Sequence, residues 1–146
     1  MKTIGQLLES KGKDIWSIAP NATVFEALRI MAQKNVGALL VIDQQKLVGI
    51  FSERDYARKV ILEGKSSKDT AVGDLMTKDV YYIDPKNTLH ECLAVITSRR
   101  IRHMPVLDND RLIGIVSIGD VVKQIIEDQE FTIRELEKYI SGGYHR

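Results

Sequence analysis

The sequence predicts an α/β (α+β) chain. It is read as two strand-helix-strand-strand-helix repeats whose small sheets pack sheet to sheet about a pseudo-two-fold axis, with one further helix at the C-terminal end. Three observations predict this. Shifting the sequence by 65 residues superposes 18–55 on 83–120 without a gap, with identity at 12 of the 38 positions. Each copy carries a Thr-x-x-Glu capping signature before an amphipathic stretch, Thr23 to Glu26 and Thr88 to Glu91. Each copy then continues into two apolar runs joined by a short polar connection, the mark of a hairpin.

The elements follow in order. Asp14 to Ile18 and Asp79 to Ile83 read as strands that end at Pro20 and Pro85, because proline cannot donate to a ladder. Val24, Ala27, Leu28 and Met31 in the first copy, and Leu89, Cys92, Leu93 and Ile96 in the second, have the spacing of one buried helical face. Cys92 is therefore read as a small core residue. Hairpins are expected over Ala38 to Ile42 with Leu47 to Phe51, and over Met104 to Leu107 with Leu112 to Val116. A second helix begins near Ser52 or Ser117, and Glu127 to Ile140 keeps a helical pattern through Phe131, Ile133, Leu136 and Ile140. A helix stop is expected at Ser141, Gly142 and Gly143, with Tyr144, His145 and Arg146 frayed. Upstream, IGQLL at 4–8 echoes VGDLM at 72–76, now at an offset of 68. The division by sequence is a first repeat over 1–66, a second over 67–128, and a C-terminal helix and tail over 129–146. Neither copy alone buries enough surface to be comfortably stable, so the two are expected to share one fold.

Bulk composition excludes several classes of function. With 21 basic and 20 acidic side chains the formal charge is +1, which gives no net field for a phosphate backbone or anionic lipid, so neither nucleic acid nor membrane is favoured as a partner. A lone cysteine cannot form an intramolecular disulfide, and the histidines at 90, 103 and 145 show no metal-ligand spacing. No signal-peptide core and no run of ~18 apolar residues is present. The expected location is the cytoplasm, with no metal. Catalysis is not expected either. There is no serine with an adjacent histidine, no phosphate loop with a lysine, and no carboxylate pair with an acid-base role.

What remains is the ending shared by both copies. Gly49 and Gly114 remove a side chain where a ligand could approach the backbone, and Ser52 and Ser117 stand at a helix start, where hydroxyl and backbone N–H groups form a cradle for an anion or a ribose. Asp55 and Asp120 follow one turn later, where a carboxylate can accept hydrogen bonds from both hydroxyls of a ribose. The alternative is purely structural. Serine would cap the helix, worth ~1 kcal/mol, and aspartate would complement its dipole.

The segments GIFSERD at 49–55 and GIVSIGD at 114–120 resemble the Gly-hydrophobic-x-Ser/Thr-x-x-Asp motif of cystathionine-beta-synthase (CBS) domains, and RHMPVLD at 102–108 is similar to the same family. The resemblance covers nearly the whole chain and is to small stand-alone CBS pairs. It implies a non-catalytic regulatory, energy-sensing module, of the kind also found in inosine monophosphate dehydrogenase and the gamma subunit of AMP-activated kinase. Such a module binds an adenosine nucleotide, such as AMP, ATP or NAD, in clefts between the repeats. No cofactor is required. It further implies a homodimer and a regulated protein partner whose identity the sequence does not give. In that family adenine lies between the segment before the first helix and the second strand. The matching positions are Ile18, Pro20, Val36, Gly37, Ala38 and Ile50 in one copy, and Ile83, Pro85, Ile101 and Ile115 in the other; some of these isoleucines and valines could equally be core. Arg102 and His103 match phosphate-contacting positions, and Arg54 joins them because guanidinium binds phosphate bidentately. Arg99 and Arg100 read as a solvated helix end. The copies differ where Glu53 and Arg54 face Ile118 and Gly119, and where Gly37 and Ala38 face Arg102 and His103, so one stronger and one weaker cleft are expected. The competing reading is a structural homodimer whose clefts hold no nucleotide.

Overall fold

The computed structural model describes residues 2–141; the expected helix stop at Gly142 and Gly143 and the fraying of Tyr144, His145 and Arg146 lie outside them. In chain order the elements are α1 (Ile4–Lys11), β1 (Ser17–Ile18), α2 (Val24–Lys34), β2 (Ala38–Asp43) and β3 (Lys46–Ser52). Next come α3 (Glu53–Tyr56), continued by a π-helical turn over Ala57–Ile61, α4 (Val72–Leu75) and α5 (Leu89–Arg99). The chain ends with β4 (His103–Asp108), β5 (Arg111–Ser117) and α6 (Ile118–Ser141).

Both hairpins form as the apolar runs require. The four-residue connections tighten to two-residue turns, Gln44-Gln45 and Asn109-Asp110, in which all four φ angles are positive (49°, 68°, 50° and 65°). Such turns match the twist of antiparallel strands. Register places Ala38 opposite Ser52 and His103 opposite Ser117. The expected leading strands are shorter than the sequence suggests. Only Ser17–Ile18 forms a ladder, parallel to Leu40–Val41, and in the second copy the strand contracts to one parallel bridge, Ile83 to Val106. A parallel edge strand gains little here, because Pro20 and Pro85 stop the ladder just beyond each isoleucine.

Helices α2 and α5 start where Thr23 and Thr88 accept the N–H of Glu26 and Glu91, and both end in a left-handed residue, Asn35 and Arg100. Their apolar faces are buried as the spacing predicts: Val24, Ala27 and Met31, and Leu89, Cys92 and Ile96. Burial pushes the Cys92 thiol up to about 11, consistent with a core role. The second helices differ between copies. After Ser52 a single α-helical turn, Glu53–Tyr56, gives way to the π-helical turn, whereas Ile118 to Ser141 is one continuous α-helix. The separate second and C-terminal helices expected in the second copy are thus a single rod of 24 residues, about 36 Å long.

The chain divides into two compact units, Asp14–Tyr82, and Met1–Lys13 with Ile83–Arg146. This differs from the division by sequence at 66/67. The two segments that echo each other at an offset of 68 are exchanged. Gly5 donates its N–H to Pro85 O (2.9 Å) and Ile4 to Asn87 O (2.9 Å); in the same manner Gly73 donates to Pro20 O (2.8 Å) and Val72 to Ala22 O (2.8 Å). Ile4, Leu7 and Leu8 complete one core with Ile83, Cys92, Ile96, Met104 and Val116. Val72 completes the other with Ile18, Met31, Leu39, Val41 and Phe51. Similar repeats make similar cores, so either segment carries a face that fits both.

Candidate functional site

Within each unit the hairpin brings the motif to the edge of the sheet. Glu53 donates its N–H to Gly37 O (3.0 Å) and Ile118 to Arg102 O (2.8 Å). Gly37 and Ala38 therefore sit beside Ser52 and Asp55, and Arg102 and His103 beside Ser117 and Asp120. The pairs of positions singled out in the sequence do meet.

The glycines serve a different purpose from the one expected. A Cβ on Gly49 would lie 2.5 Å from Met76 Sδ and 2.9 Å from Thr77 O, and one on Gly114 would lie 2.9 Å from both Leu8 methyl carbons. The space each glycine opens is filled by the exchanged segment, not left for a ligand. Gly49→Ala is expected to destabilise the protein by about 1–2 kcal/mol, because the Thr77 carbonyl is backbone and must shift. Urea denaturation at equilibrium checks this; an unchanged midpoint would mean that the segment at Thr77 yields freely.

The serine-aspartate pairs are capping boxes. Ser52 Oγ accepts the Asp55 N–H (3.1 Å), while Asp55 Oδ2 accepts from the Ser52 N–H and hydroxyl (both 3.0 Å). Ser117 Oγ accepts the Asp120 N–H (3.0 Å) and Asp120 Oδ2 accepts the Ser117 N–H (2.9 Å). Beyond the caps the two carboxylates part ways. Asp55 is 9% exposed, and its Oδ1 also accepts from Thr77 Oγ1 (3.2 Å) and lies 3.1 Å from Lys59 Nζ. Asp120 has a side chain 28% exposed, and its Oδ2 pairs with Lys11 Nζ at 2.9 Å. Lys11 Nζ also donates to Ile115 O (2.6 Å). A polar cavity of about 400 Å³ opens beside this pair, bordered by Leu7 and Ser10 of α1 and by Lys123, Gln124 and Glu127 of α6.

Electrostatics follow from this geometry. Burial opposes the charged form of Asp120, but the Ser117 N–H and the Lys11 ammonium together outweigh it and hold the carboxyl below its ordinary 3.8. For His103 burial is again the largest influence and lowers it. Asp120 pulls the other way, while Lys11 and Arg102 add to the lowering, so the imidazole titrates below its ordinary 6.5. His103 is thus a neutral hydrogen-bonding group at neutral pH, and the positive charge comes from Arg102 and Lys11. Both shifts are depressions, so the stability they carry is present above the ordinary values and lost as pH falls through the folded ones. As pH drops from about 7.5 to about 5.5 the melting temperature should fall, and His103→Gln should flatten that slope. A slope identical in the variant would assign it to other groups.

Of the positions proposed for adenine, Ile18 and Ile83 are buried in the two cores, and Val36 and Ile101 pack against them, which favours the core alternative for these four. Ala38 is buried; Pro20, Gly37, Ile50, Pro85 and Ile115 are half-buried around the motif ends. Arg54 is half-buried in the first turn of α3, Arg102 is exposed, and Arg99 and Arg100 are exposed at the end of α5. Sequence reasoning missed Lys11, Lys59 and Thr77. Lys59 was legible as the fourth residue after Asp55 on a helix. Lys11 and Thr77 reach their aspartates only through tertiary structure. No group of side chains among the described residues could hold a metal ion, and no helix among them is long and apolar enough to cross a membrane.

A family model described as the CBS domain matches residues 11–62 and 72–127. The solved structure of the CBS-domain protein NE2398 is similar at 50% identity and a TM-score of 0.82, covering 86% of this chain and 99% of its own. A CBS-domain protein from Burkholderia ambifaria MC40-6 is 46% identical with a TM-score of 0.85, covering 88% and 96%. The mitochondrial CBS domain-containing protein CBSX3 of Arabidopsis thaliana is 41% identical over 97% of this chain and 73% of its own length. None of these names specifies a reaction. Two motif-bearing hairpins, two capped aspartates and two matched segments lead to one conclusion: the chain belongs to the CBS-domain family, as a tandem pair with a C-terminal helix, and pairs of CBS domains are regulatory modules.

Proposed function

We propose that this CBS pair is a non-catalytic sensor of an adenosine nucleotide such as AMP, ATP or NAD, and that the ribose binds at Asp120. The observation that carries the reading is the inequality of the two carboxylates. Asp55 is enclosed, with four donors around its two oxygens. Asp120 is more exposed, takes the Ser117 N–H and Lys11 on Oδ2, and stands beside Arg102 and His103. A ribose hydroxyl needs an acceptor, and a phosphate needs cations and N–H groups within reach. The Asp120 unit brings a more exposed acceptor together with Arg102, His103 and Lys11, whereas Arg54 and Lys59 stand by a carboxylate that is already enclosed. The expected stronger and weaker clefts are then the Asp120 and Asp55 motifs respectively.

A thermal-shift panel of AMP, ADP, ATP, NAD, NADH and S-adenosylmethionine tests this. Ligand at ~100 times its dissociation constant adds about 2.7 kcal/mol of stability. Absence of a shift with every compound would leave the structural reading, which the self-satisfied capping boxes favour. As a sensor the module must bind its ligand unequally in two arrangements, since equal affinity shifts nothing.

We further infer a homodimer. The distal half of α6 exposes Phe131, Ile133, Leu136, Tyr139 and Ile140, an apolar set that association would cover. Light scattering reads the mass directly, and a monomer at micromolar concentration would remove this inference. The buried free thiol of Cys92 suits a reducing compartment, and we place the protein's action in the cytoplasm.

A further inference from the structure

We propose that Lys11 is a specificity-determining residue, making the Asp120 pocket select adenosine ligands whose 5′ substituent is an anion. The inference rests on the nucleotide reading above and adds which chemical class of adenosine compound the pocket takes.

Lys11 is the last residue of α1, a helix whose sequence neighbours lie in the other unit, yet its ammonium is fixed in this one. It donates to Ile115 O (2.6 Å) and pairs with Asp120 Oδ2 (2.9 Å). An ammonium has three donors. Two are engaged, and the third is available to a guest in the cavity that Lys11 borders. Asp120 Oδ1 can accept a ribose hydroxyl without displacing Lys11 from Oδ2. The acceptor for the sugar and a donor for its substituent are therefore held together by one ion pair.

Charge decides what that donor prefers. Lys11, Lys123, Asp120 and Glu127 all border the cavity, so its lining balances formally, and Arg102, outside that lining, adds positive charge near His103. A 5′-phosphate gains a charge-assisted hydrogen bond from Lys11. A neutral 5′-hydroxyl gains a weaker one, and a cationic sulfonium meets like charge. Glu127 opposes the preference but lies on α6 two turns beyond Asp120, whereas Lys11 touches the carboxylate that holds the sugar. The Asp55 motif differs in its carboxylate: Lys59 likewise pairs with Asp55 Oδ1 and donates to Leu75 O (3.1 Å), but Asp55 is enclosed and 9% exposed.

Isothermal titration of the full chain with AMP, adenosine and S-adenosylmethionine tests the proposal. The wild type should bind AMP about tenfold or more tighter than adenosine, and S-adenosylmethionine no better than adenosine. Lys11→Met should weaken AMP by about tenfold while adenosine changes by about twofold or less, and Lys11→Arg should keep most of the preference for AMP. Equal affinity of the wild type for AMP and adenosine would overturn the proposal without any variant, as would an AMP-to-adenosine ratio unchanged by Lys11→Met. Those results leave the nucleotide reading standing. A wild type that binds none of the three compounds removes that reading, and the selectivity of Lys11 with it.

Discussion

Replacing Asp120 with alanine is expected to weaken AMP binding by about tenfold to a hundredfold while costing the fold little. A hydrogen bond to a charged acceptor is worth about 1.5–3 kcal/mol, and losing Oδ1 as the acceptor of a ribose hydroxyl removes about that much binding. Every 1.4 kcal/mol is about a factor of ten. The structural loss is smaller. Asp120 contributes half of a capping box to α6 and an ion pair whose partners are 28% and 30% exposed, a pair that solvent screens. Together these are worth about 1–2 kcal/mol. Calorimetric titration alongside urea denaturation separates the two effects. An alanine variant that bound AMP within about threefold of the wild type would show that the ribose is held elsewhere.

Asp55→Ala should behave in the opposite way, lowering stability by about 3 kcal/mol and leaving AMP affinity nearly unchanged. The Asp55 carboxylate is enclosed and accepts from the Ser52 N–H, the Ser52 hydroxyl and the Thr77 hydroxyl, with Lys59 alongside. Alanine leaves several of these donors without an acceptor, and an unsatisfied buried donor costs about 1–3 kcal/mol. Thr77 belongs to the segment that crosses Gly49, through paired hydrogen bonds between Ile50 and Thr77 (3.0 and 2.9 Å), so the loss also loosens that crossing. The denaturation midpoint should fall at constant slope. A large loss of AMP affinity with intact stability would reverse the roles assigned to the two aspartates.

Much of the fold was legible because local rules agreed with one another. The threonine caps at Thr23 and Thr88, the apolar faces of α2 and α5, and both hairpins formed where spacing placed them, although only Thr88 and Glu91 close the full reciprocal box. Their signals lie within a few residues of their effects. The exchange of α1 and α4 left no such signal. Gly5 and Gly73 make matching hydrogen bonds in opposite units, so their sequences are alike whichever way the chain crosses. The π-helical turn after Tyr56 and the uninterrupted α6 begin from near-identical motifs, GIFSERD and GIVSIGD. Of the candidate site, serine and aspartate were readable as a pair, and their alternative role as caps is how they stand in this structure. What distinguishes Asp55 from Asp120 was not readable, because Thr77 and Lys11 approach from 22 and 109 residues away, the latter being 120 − 11.

The exchanged helix also sets an order of assembly. During synthesis Asp14–Tyr82 can close as soon as Val72 and Leu75 have emerged, since its whole core is contiguous in the chain. Helix α1 leaves the ribosome before any of this, yet the cavity it fills is made by strands and helices translated from Ile83 onward. At about 5–20 residues per second it waits several seconds with Ile4, Leu7 and Leu8 unsheltered. Its eight residues are too few to hold a helix alone in water. A helix made before either repeat is therefore among the last elements to become ordered, and severing the chain between the repeats would orphan it from the half it completes.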